Sequence, residues 1–473
     1  MSPLRYKLCL DLCMKKICKV LLSSLFFYSV AVAEPTMDGY LIRSNYILTM
    51  AKGSAEPLDG YIQFSKEGLI VDIVKGEPSE TLGGTVIDAR GKIIMPGFVS
   101  GHNHLWQRAF RGLASDQELY GWLKSLHWTF GDFFQDGDMY NFTLYGALDQ
   151  LANGITTTLN HSQNVAPTYD QYIEQFEAEM AAGQHFIFSY VLDENEPSPA
   201  IRKSKLLSLI DDTSRRPGPH ACLGFGLHGT GIYRGMDFHR EEVNLAKELD
   251  LDMQIHYLEE KAESLRNGQK KFESMAEKGG LWDGLVYAHF IHATDEILET
   301  SAKAGVKMIW NPLSNGRLAS GLADIPRYLS AGLEIGMGVD GSASGDVCDP
   351  FQNMRMGMYA LRMKDSNAAV MSSIDILRMH TLKTAQVLEV DDRVGSLEQG
   401  KFADFLIIQP AAPVFDPYST IVLATSANDI ESVWVRGQKM VESGKYSNHD
   451  MVAIKREVAR RVARIVSDQA GNN

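Results

Sequence analysis

Eight short apolar segments between residues 90 and 345 constrain the fold of this chain more than any other feature. Each is bounded by glycine or by a charged segment with helical periodicity, and they recur at about the spacing of one strand plus one helix. Strands that alternate with helices pair in parallel, and eight nearly continuous apolar strands favour a closed barrel over an open sheet. We therefore predict an α/β fold, a (β/α)₈ barrel of the TIM type. The predicted strands lie within 92–104, 154–161, 185–193, 222–229, 251–259, 284–292, 306–315 and 333–342.

Polar side chains stand at the end of nearly every predicted strand. The carboxyl ends of the strands form the active-site face of such a barrel, so these side chains are expected to converge on one pocket. They are His102, His104, His161, Asp193, His228, His256, Glu259, His289, Asn311 and Asp340.

The segments that flank the predicted barrel contain short strands and turns. We predict that residues 34–92 and 390–450 form one small β-sandwich domain from both ends of the chain, around a barrel of residues 93–389. Residues 451–473 are predicted to be a C-terminal helix or tail.

The segment between the first and second predicted strands is long and rich in aromatic residues and arginine. A loop of that length at the active-site face predicts a lid or a substrate wall. The alternative is a surface helix that packs through Trp122, Leu126 and Phe130.

The first 33 residues have the segment order of a secretory signal peptide. Lys15 and Lys16 form a basic start, residues 20–30 are apolar, and Ala31, Val32 and Ala33 form an A-x-A cleavage site. The apolar run is short for a transmembrane helix, so no stable membrane anchor is expected. We predict an exported protein, periplasmic or secreted. Met14 is an alternative start, and a buried N-terminal helix is the alternative structure.

The charge of the chain argues against a nucleic-acid-binding protein, and its cysteine content argues against a disulfide-rich protein. The chain has 46 Lys and Arg against 59 Asp and Glu, a net charge of -13, which argues against a nucleic-acid partner. Three of the five cysteines lie before residue 34, which leaves Cys222 and Cys348 and no disulfide framework.

His102 and His104 are predicted to point to the same face of one strand, because side chains alternate with a period of two. On their own, two such histidines are equally well explained as a polar surface patch. With His256 as a third nitrogen ligand and Asp340 as an oxygen ligand, they predict a site for one divalent metal ion. Zinc is the expected metal, and iron and manganese are the alternatives.

Two further strand-end residues have catalytic roles in this prediction. A bound Zn²⁺ lowers the pKa of a water molecule to about 7, which makes it a nucleophile at neutral pH. Glu259 is assigned to proton transfer, as a base towards water and an acid towards substrate. His289 would stabilise a developing negative charge or assist deprotonation, and Asp340 would accept a second proton.

Motifs along almost the whole predicted mature chain resemble the amidohydrolase superfamily. The resemblance is to its mononuclear aminohydrolase branch, which includes adenosylhomocysteine, guanine and cytosine deaminases and the triazine hydrolases. The motifs are IMPGFVSGHNHLWQ, FRGLASDQELYGWL, ANGITTT, QIHYLEE, YAHFIHATDEI, NPLSNGRLASGLADI, GMGVDGSAS and GSLEQGKFADFLII.

The resemblance implies metal ligation by His102, His104, His256 and Asp340, and catalytic roles for Glu259 and His289. It also implies that His228, Arg111 and Asn311 contact substrate, that His161 lies behind the ligands, and that the protein forms a homo-oligomer. Trp106 is a candidate for stacking on a planar ring, with simple packing as its alternative. Binuclear members carry a lysine at the end of the fourth strand, and residues 226–229 contain none.

Together these features predict hydrolytic deamination of an exocyclic amino group. The expected substrate is a small heterocycle: a purine, a pyrimidine, a pterin or a triazine-like ring. One alternative keeps the site but expels chloride, an alkylamine or an amide-type group. The other alternative is a non-catalytic scaffold, which the complete set of ligands disfavours.

Overall fold

The computed structural model describes residues 39–78, 84–162, 168–216 and 221–472. The predicted signal peptide lies outside these residues. None of the helices in these ranges is both long and apolar enough to cross a membrane.

Among the described residues, five strands precede the barrel and belong to a separate sheet. In this sheet β1 pairs antiparallel with β2 and parallel with β4 and β5, and β2 pairs antiparallel with β3. The strands are β1 (Gly39–Ile47), β2 (Leu58–Ser65), β3 (Ile70–Lys75), β4 (Thr85–Asp88) and β5 (Ile93–Pro96).

The next eight strands, counted within the described ranges, are parallel neighbours in chain order and form the barrel. They are β6 (Phe98–Asn103), β7 (Ile155–His161), β8 (His185–Val191), β9 (Cys222–His228), β10 (Met253–Tyr257), β11 (Leu285–His289), β12 (Lys307–Trp310) and β13 (Glu334–Met337). The first and last strands meet where the Asp340 N–H donates to the His102 carbonyl, at 3.1 Å. The predicted (β/α)₈ barrel is confirmed.

The first predicted strand, residues 92–104, contains two strands of different sheets. It divides at Gly97 into β5, which belongs to the terminal sheet, and β6, which begins the barrel. A Cβ atom at Gly97 would lie 2.1 Å from Thr156 Oγ1, so only glycine allows this close crossing.

Helices follow the barrel strands, and three of those described here begin at a capping side chain. Thr168 and Gln171 form a capping box, and Ser198 and Thr294 cap two later helices. The helices are α1 (Leu119–Leu123), α2 (Asp138–Ala152), α3 (Tyr169–Ala182), α4 (Pro199–Ser214), α5 (Met236–Leu249), α6 (Ala262–Lys270), α7 (Phe272–Glu277), α8 (Asp295–Lys303), α9 (Pro312–Arg317), α10 (Ile325–Ser330), α11 (Pro350–Asp365), α12 (Ser373–Met379), α13 (Leu382–Val387), α14 (Pro417–Ser419) and α15 (Met451–Gly471).

Strands from the C-terminal part of the chain complete the terminal sheet. They are β14 (Phe405–Ile408), β15 (Ile430–Val435), β16 (Gln438–Glu442) and β17 (Lys445–Tyr446). β14 pairs antiparallel with β5, so the two ends of the chain meet in one sheet. The predicted β domain built from both terminal segments is confirmed.

The C-terminal helix α15 lies against the segment between β6 and β7. Val458 and Ile465 are buried in an aromatic cluster that also contains Trp106 and Trp122. Arg461 and Arg464 on the same helix both pair with the fully buried Asp138. The helix therefore holds in place the segment that was predicted to be a substrate wall.

Candidate metal centre and active site

The six residues predicted to carry the chemistry lie together at the carboxyl ends of four barrel strands. His102 lies in β6 and His104 directly after it, His256 lies in β10 and Glu259 two residues after its end, His289 is the last residue of β11, and Asp340 lies in the segment after β13. Ligand atoms of His102, His104 and His256, together with His161, lie within 4.8 Å of one another, and so do those of His102, His289 and Asp340.

Three imidazoles and one carboxylate surround the centre of this group. His104 Nε2 is 3.3 Å from His256 Nε2. Asp340 Oδ1 is 3.5 Å from His102 Nε2 and 3.6 Å from His104 Nε2. The Nε2 atoms and the carboxylate thus face a common point.

Hydrogen bonds behind two of the imidazoles set which ring nitrogen carries the proton. His102 Nδ1 donates to Gln254 Oε1 at 2.6 Å, since the amide nitrogen of Gln254 is engaged with the Gly101 carbonyl at 2.8 Å. His104 Nδ1 donates to the His161 carbonyl at 2.8 Å. A proton on Nδ1 leaves a lone pair on Nε2, the form in which histidine ligates a metal.

The electrostatics of the group fit a divalent cation. Burial is the main cause, and the neighbouring His102 the second cause, of a lowered pKa at two of the imidazoles. The pKa of His104 falls to about 4 and that of His256 falls well below 6.5, so both rings are neutral. Burial opposes ionisation of Asp340, but contact with His102 holds its pKa well below 3.8. His102 Nε2 is buried and has no hydrogen-bond partner among the described residues. Neutral imidazoles, a carboxylate and this orphaned nitrogen make a suitable set of metal ligands.

His289 differs from the other imidazoles because its second nitrogen faces a donor. Asn315 Nδ2 lies 2.8 Å from His289 Nδ1, which must therefore accept and leave the proton on Nε2. That Nε2 is 3.6 Å from Glu259 Oε2 and 3.9 Å from Asp340 Oδ2. This arrangement points the Nε2–H of His289 towards the two carboxyl groups, at distances longer than a hydrogen bond, and leaves no lone pair on Nε2 for a metal.

Glu259 is placed to give up a proton at neutral pH. Burial, then the charge of Asp340, raises the pKa of Glu259 to about 8, while Ser320 Oγ donates to Oε1 at 3.3 Å. A protonated carboxyl group beside the ligand cluster suits a general acid.

Left-handed backbone conformations occur at the strand ends that carry these groups. His289 has a φ of 72° and Asp340 a φ of 58°, and Leu258, between His256 and Glu259, has a φ of 52°. Residues other than glycine adopt these values uncommonly and at a cost in free energy. The backbone is therefore strained where it aims the reactive side chains into the cavity.

A cavity of about 280 Å³ opens over the cluster. His228 lines it, and its ring stacks on His161 with 3.4 Å between centroids, while the predicted wall contributes Trp122. Trp122 and Leu126 of this segment are also packed in the aromatic cluster, as the alternative interpretation predicts, so the segment both packs and lines the cavity. The lining residues are His104, Leu119, Tyr120, Trp122, Leu123, Val191, His228, Gly229, Thr230, Tyr233, Arg234, His256, Glu259, Glu260, Leu318, Asp340 and Ser344.

Three residues predicted to contact substrate do not line this cavity. Trp106 is fully buried in the aromatic cluster, against His127 and Phe134, so packing is its role. Arg111 lies on the exposed side of its loop. Asn311 is fully buried at the start of α9, below the ligands.

Sequence analysis missed the residues that orient the imidazoles. Gln254 is two positions before His256 on the same face of β10, and a polar residue there in an apolar strand was an available signal. Asn315 and Ser320 reach the site from the region of α9, and nothing in the sequence pattern near them predicts this contact.

A closed (β/α)₈ barrel with histidines and a carboxylate at its strand ends defines the class of metal-assisted hydrolases. A model of the amidohydrolase family matches residues 93–440, and the chain belongs to that family. The predicted amidohydrolase-type enzyme of the aminohydrolase branch is confirmed.

Related proteins match over most of their length. The chain is 27% identical over 394 residues to the 5-methylthioadenosine/S-adenosylhomocysteine deaminase 1 of Syntrophus aciditrophicus, covering 80% of this chain and 86% of that protein. The crystal structure of a zinc-bound adenosine deaminase from Xanthomonas campestris has a TM-score of 0.81 at 21% identity, covering 92% and 100%. That of atrazine chlorohydrolase from Arthrobacter aurescens, complexed with zinc, has a TM-score of 0.79 at 25% identity, covering 90% and 100%.

Proposed function

We propose that this protein is a zinc-dependent deaminase that replaces the exocyclic amino group of an adenosine-type purine with oxygen. The observation that carries the proposal is the position of Glu259, a buried carboxyl group adjacent to a complete set of metal ligands, with its pKa raised by burial. The relative from Syntrophus is named as a deaminase of adenosine derivatives, which supports the purine over the other heterocycles.

The residues that would hold the metal are His102, His104, His256 and Asp340. When bound, a divalent ion supplies a water molecule that is ionised near neutral pH. Zinc is proposed because the adenosine deaminase and the atrazine chlorohydrolase are both described with zinc.

The remaining steps are proton transfers by side chains. Glu259 donates its carboxyl proton to the ring nitrogen next to the reacting carbon as the water oxygen forms its bond to that carbon. Asp340 accepts one proton from the water and returns it to the amino nitrogen, so that the carbon–nitrogen bond breaks and ammonia leaves. The second water proton passes from the hydroxyl group on the same carbon to Glu259 as the carbonyl forms, which restores the carboxyl group. His289 donates from Nε2 to the oxygen that gains negative charge.

The test is ammonia release by zinc-loaded protein beginning at Glu34, measured with adenosine derivatives, guanine, cytosine, pterins and aminotriazines. We expect release from an adenosine-type compound, and loss of about 10²–10⁴-fold in rate for Glu259→Gln. Glu273→Gln, at an exposed carboxylate on α7 that lines neither cavity, is the matched control and should keep the wild-type rate. No release from any adenosine compound by folded, metal-loaded protein would reject the purine assignment.

A second candidate reaction keeps the site and changes the leaving group. The likeness to atrazine chlorohydrolase, which covers nearly the whole described chain, favours this alternative. Incubation with chlorinated and aminated triazines separates the two reactions, because one releases chloride and the other ammonia.

We also propose that the protein is exported. The basic, apolar and small-residue segments within residues 14–33 support this proposal. Expression of the full chain should yield a periplasmic or secreted product whose N-terminal residue is Glu34, and an uncleaved cytoplasmic product would contradict it.

A further inference from the structure

Glu260 is a buried carboxyl group in the cavity wall without a charged partner. It follows Glu259 in the chain, and only 5% of its surface is exposed. Within the described ranges it forms no ion pair or side-chain hydrogen bond, and the contacts that favour its charge are backbone hydrogen bonds at residues 259 and 260. The mechanism proposed above does not use it.

Glu260 stands where the inner cavity joins an outer one. It lines the cavity over the metal ligands and also an adjoining cavity of about 540 Å³ that opens beside α1 and α6. If the reacting carbon of the substrate lies beside Glu259, any substituent that extends from the substrate towards solvent would lie next to Glu260.

The outer cavity is acidic. Asp116, Glu118 and Glu263 line it together with Glu260, and its one lining cation among the described residues, Lys261, pairs with Glu118 at 3.0 Å. An anionic substituent would meet repulsion here, and a cation would meet attraction.

The cation that lines the inner cavity is also engaged elsewhere. Arg234 Nη1 donates to the Leu192 carbonyl at 3.2 Å, and its Nε lies 3.4 Å from Glu194 Oε1. No described side chain therefore supplies Glu260 with a countercharge.

We propose that the substrate carries a protonated amine on the substituent remote from the reacting carbon, and that Glu260 binds this cation. The inference rests on the deaminase function proposed above and names the class of substrate. A carboxylate that is already removed from water interacts strongly with a cation, because the surroundings screen the attraction weakly. Burial raises the pKa of Glu260, and an arriving cation would relieve that unfavourable burial.

The experiment compares three nucleosides that differ only at the 5′ position. They are 5′-amino-5′-deoxyadenosine, which is cationic, 5′-deoxyadenosine, which is neutral, and adenosine-5′-carboxylic acid, which is anionic. Both kcat/KM for ammonia release and Kd by calorimetry are measured for the wild type, for Glu260→Gln and for the exposed control Glu263→Gln.

We expect the wild type to prefer the amine over the neutral compound by about tenfold or more, and to discriminate against the carboxylate. In Glu260→Gln the ratio of kcat/KM for the amine to kcat/KM for the neutral compound should fall to about one. Glu263→Gln should keep most of the preference, because its carboxylate is exposed and screened.

Three results overturn the inference: an amine that binds no better than the neutral compound, a preference that survives in Glu260→Gln, or no measurable binding of the amine. Absence of turnover for all three nucleosides rejects the proposed deaminase instead. In that case the Kd values still decide whether Glu260 selects a cation.

Discussion

Replacing Gln254 with leucine should weaken metal binding without touching a metal ligand. The Gln254 amide accepts from His102 Nδ1 and donates to the Gly101 carbonyl, and its side chain is 2% exposed. Leucine has a similar volume but can make neither bond. The variant would leave His102 free to move its proton to Nε2, the nitrogen that faces the centre.

The expected magnitude follows from the two hydrogen bonds. Removing a group that orients a metal-ligating histidine reduces metal affinity by about 10- to 100-fold, which corresponds to about 1.4–2.7 kcal/mol. Two buried polar groups left without partners cost about 1–3 kcal/mol each in the free energy of unfolding. The metal-free variant should therefore be less stable, and added zinc should stabilise it less than the wild type.

Competition with a chromogenic chelator measures the zinc affinity, and urea unfolding with and without zinc measures the linked stability. Gln184→Leu is the matched control, because Gln184 is also buried and donates to Gln150 Oε1 and the Ile155 carbonyl, away from the ligands. The control should lose stability and keep its zinc affinity. A folded Gln254→Leu protein that binds zinc within about threefold of the wild type would refute the argument that this amide sets the ligand form of His102.

Three further predictions concern stability, each measured by urea unfolding. Gly224→Ala should raise the free energy of unfolding by about 0.4–1 kcal/mol, because a Cβ atom there meets nothing within 4 Å; a loss would show that the site is strained. Burial raises the pKa of Asp252 from 3.8 to about 7, so the wild type loses stability as the pH rises from about 4 to 7. Asp252→Asn should therefore be more stable than the wild type at pH 8, by at most about 4 kcal/mol, and equal to it at pH 4; a pH-independent difference would contradict this. Asp138→Ala removes the buried carboxylate that Arg461 and Arg464 of α15 share, and should cost about 1.5–3 kcal/mol, whereas Asp136→Ala, at an exposed position, should change little.

The barrel and the ligand cluster could be predicted because both depend on local periodicity. A period of two places His102 and His104 on one face, and parallel strands bring His256 and Asp340 to the same end of the barrel. These features need no knowledge of loop conformation.

Contacts made by loops could not be predicted in the same way. The indole of Trp106 turns into an aromatic cluster because α15, from the far end of the chain, supplies part of that cluster. Asn315 reaches His289 from the helix after the next strand, and a spacing pattern does not carry such a contact. The position of Glu260 in the cavity wall could not be predicted either, because a charged residue after a strand is usually exposed.

The short step from β5 to β6 has a consequence for the order in which the molecule folds. Only Gly97 separates β5, which pairs with β14 near the C-terminus, from β6, which carries His102. Contacts between such distant parts of a chain form slowly, because a long loop must close first. β5 also pairs with β1, but its other edge stays open until synthesis reaches β14. A chain released from the ribosome before that point would contain most of the histidines without the completed sheet next to them.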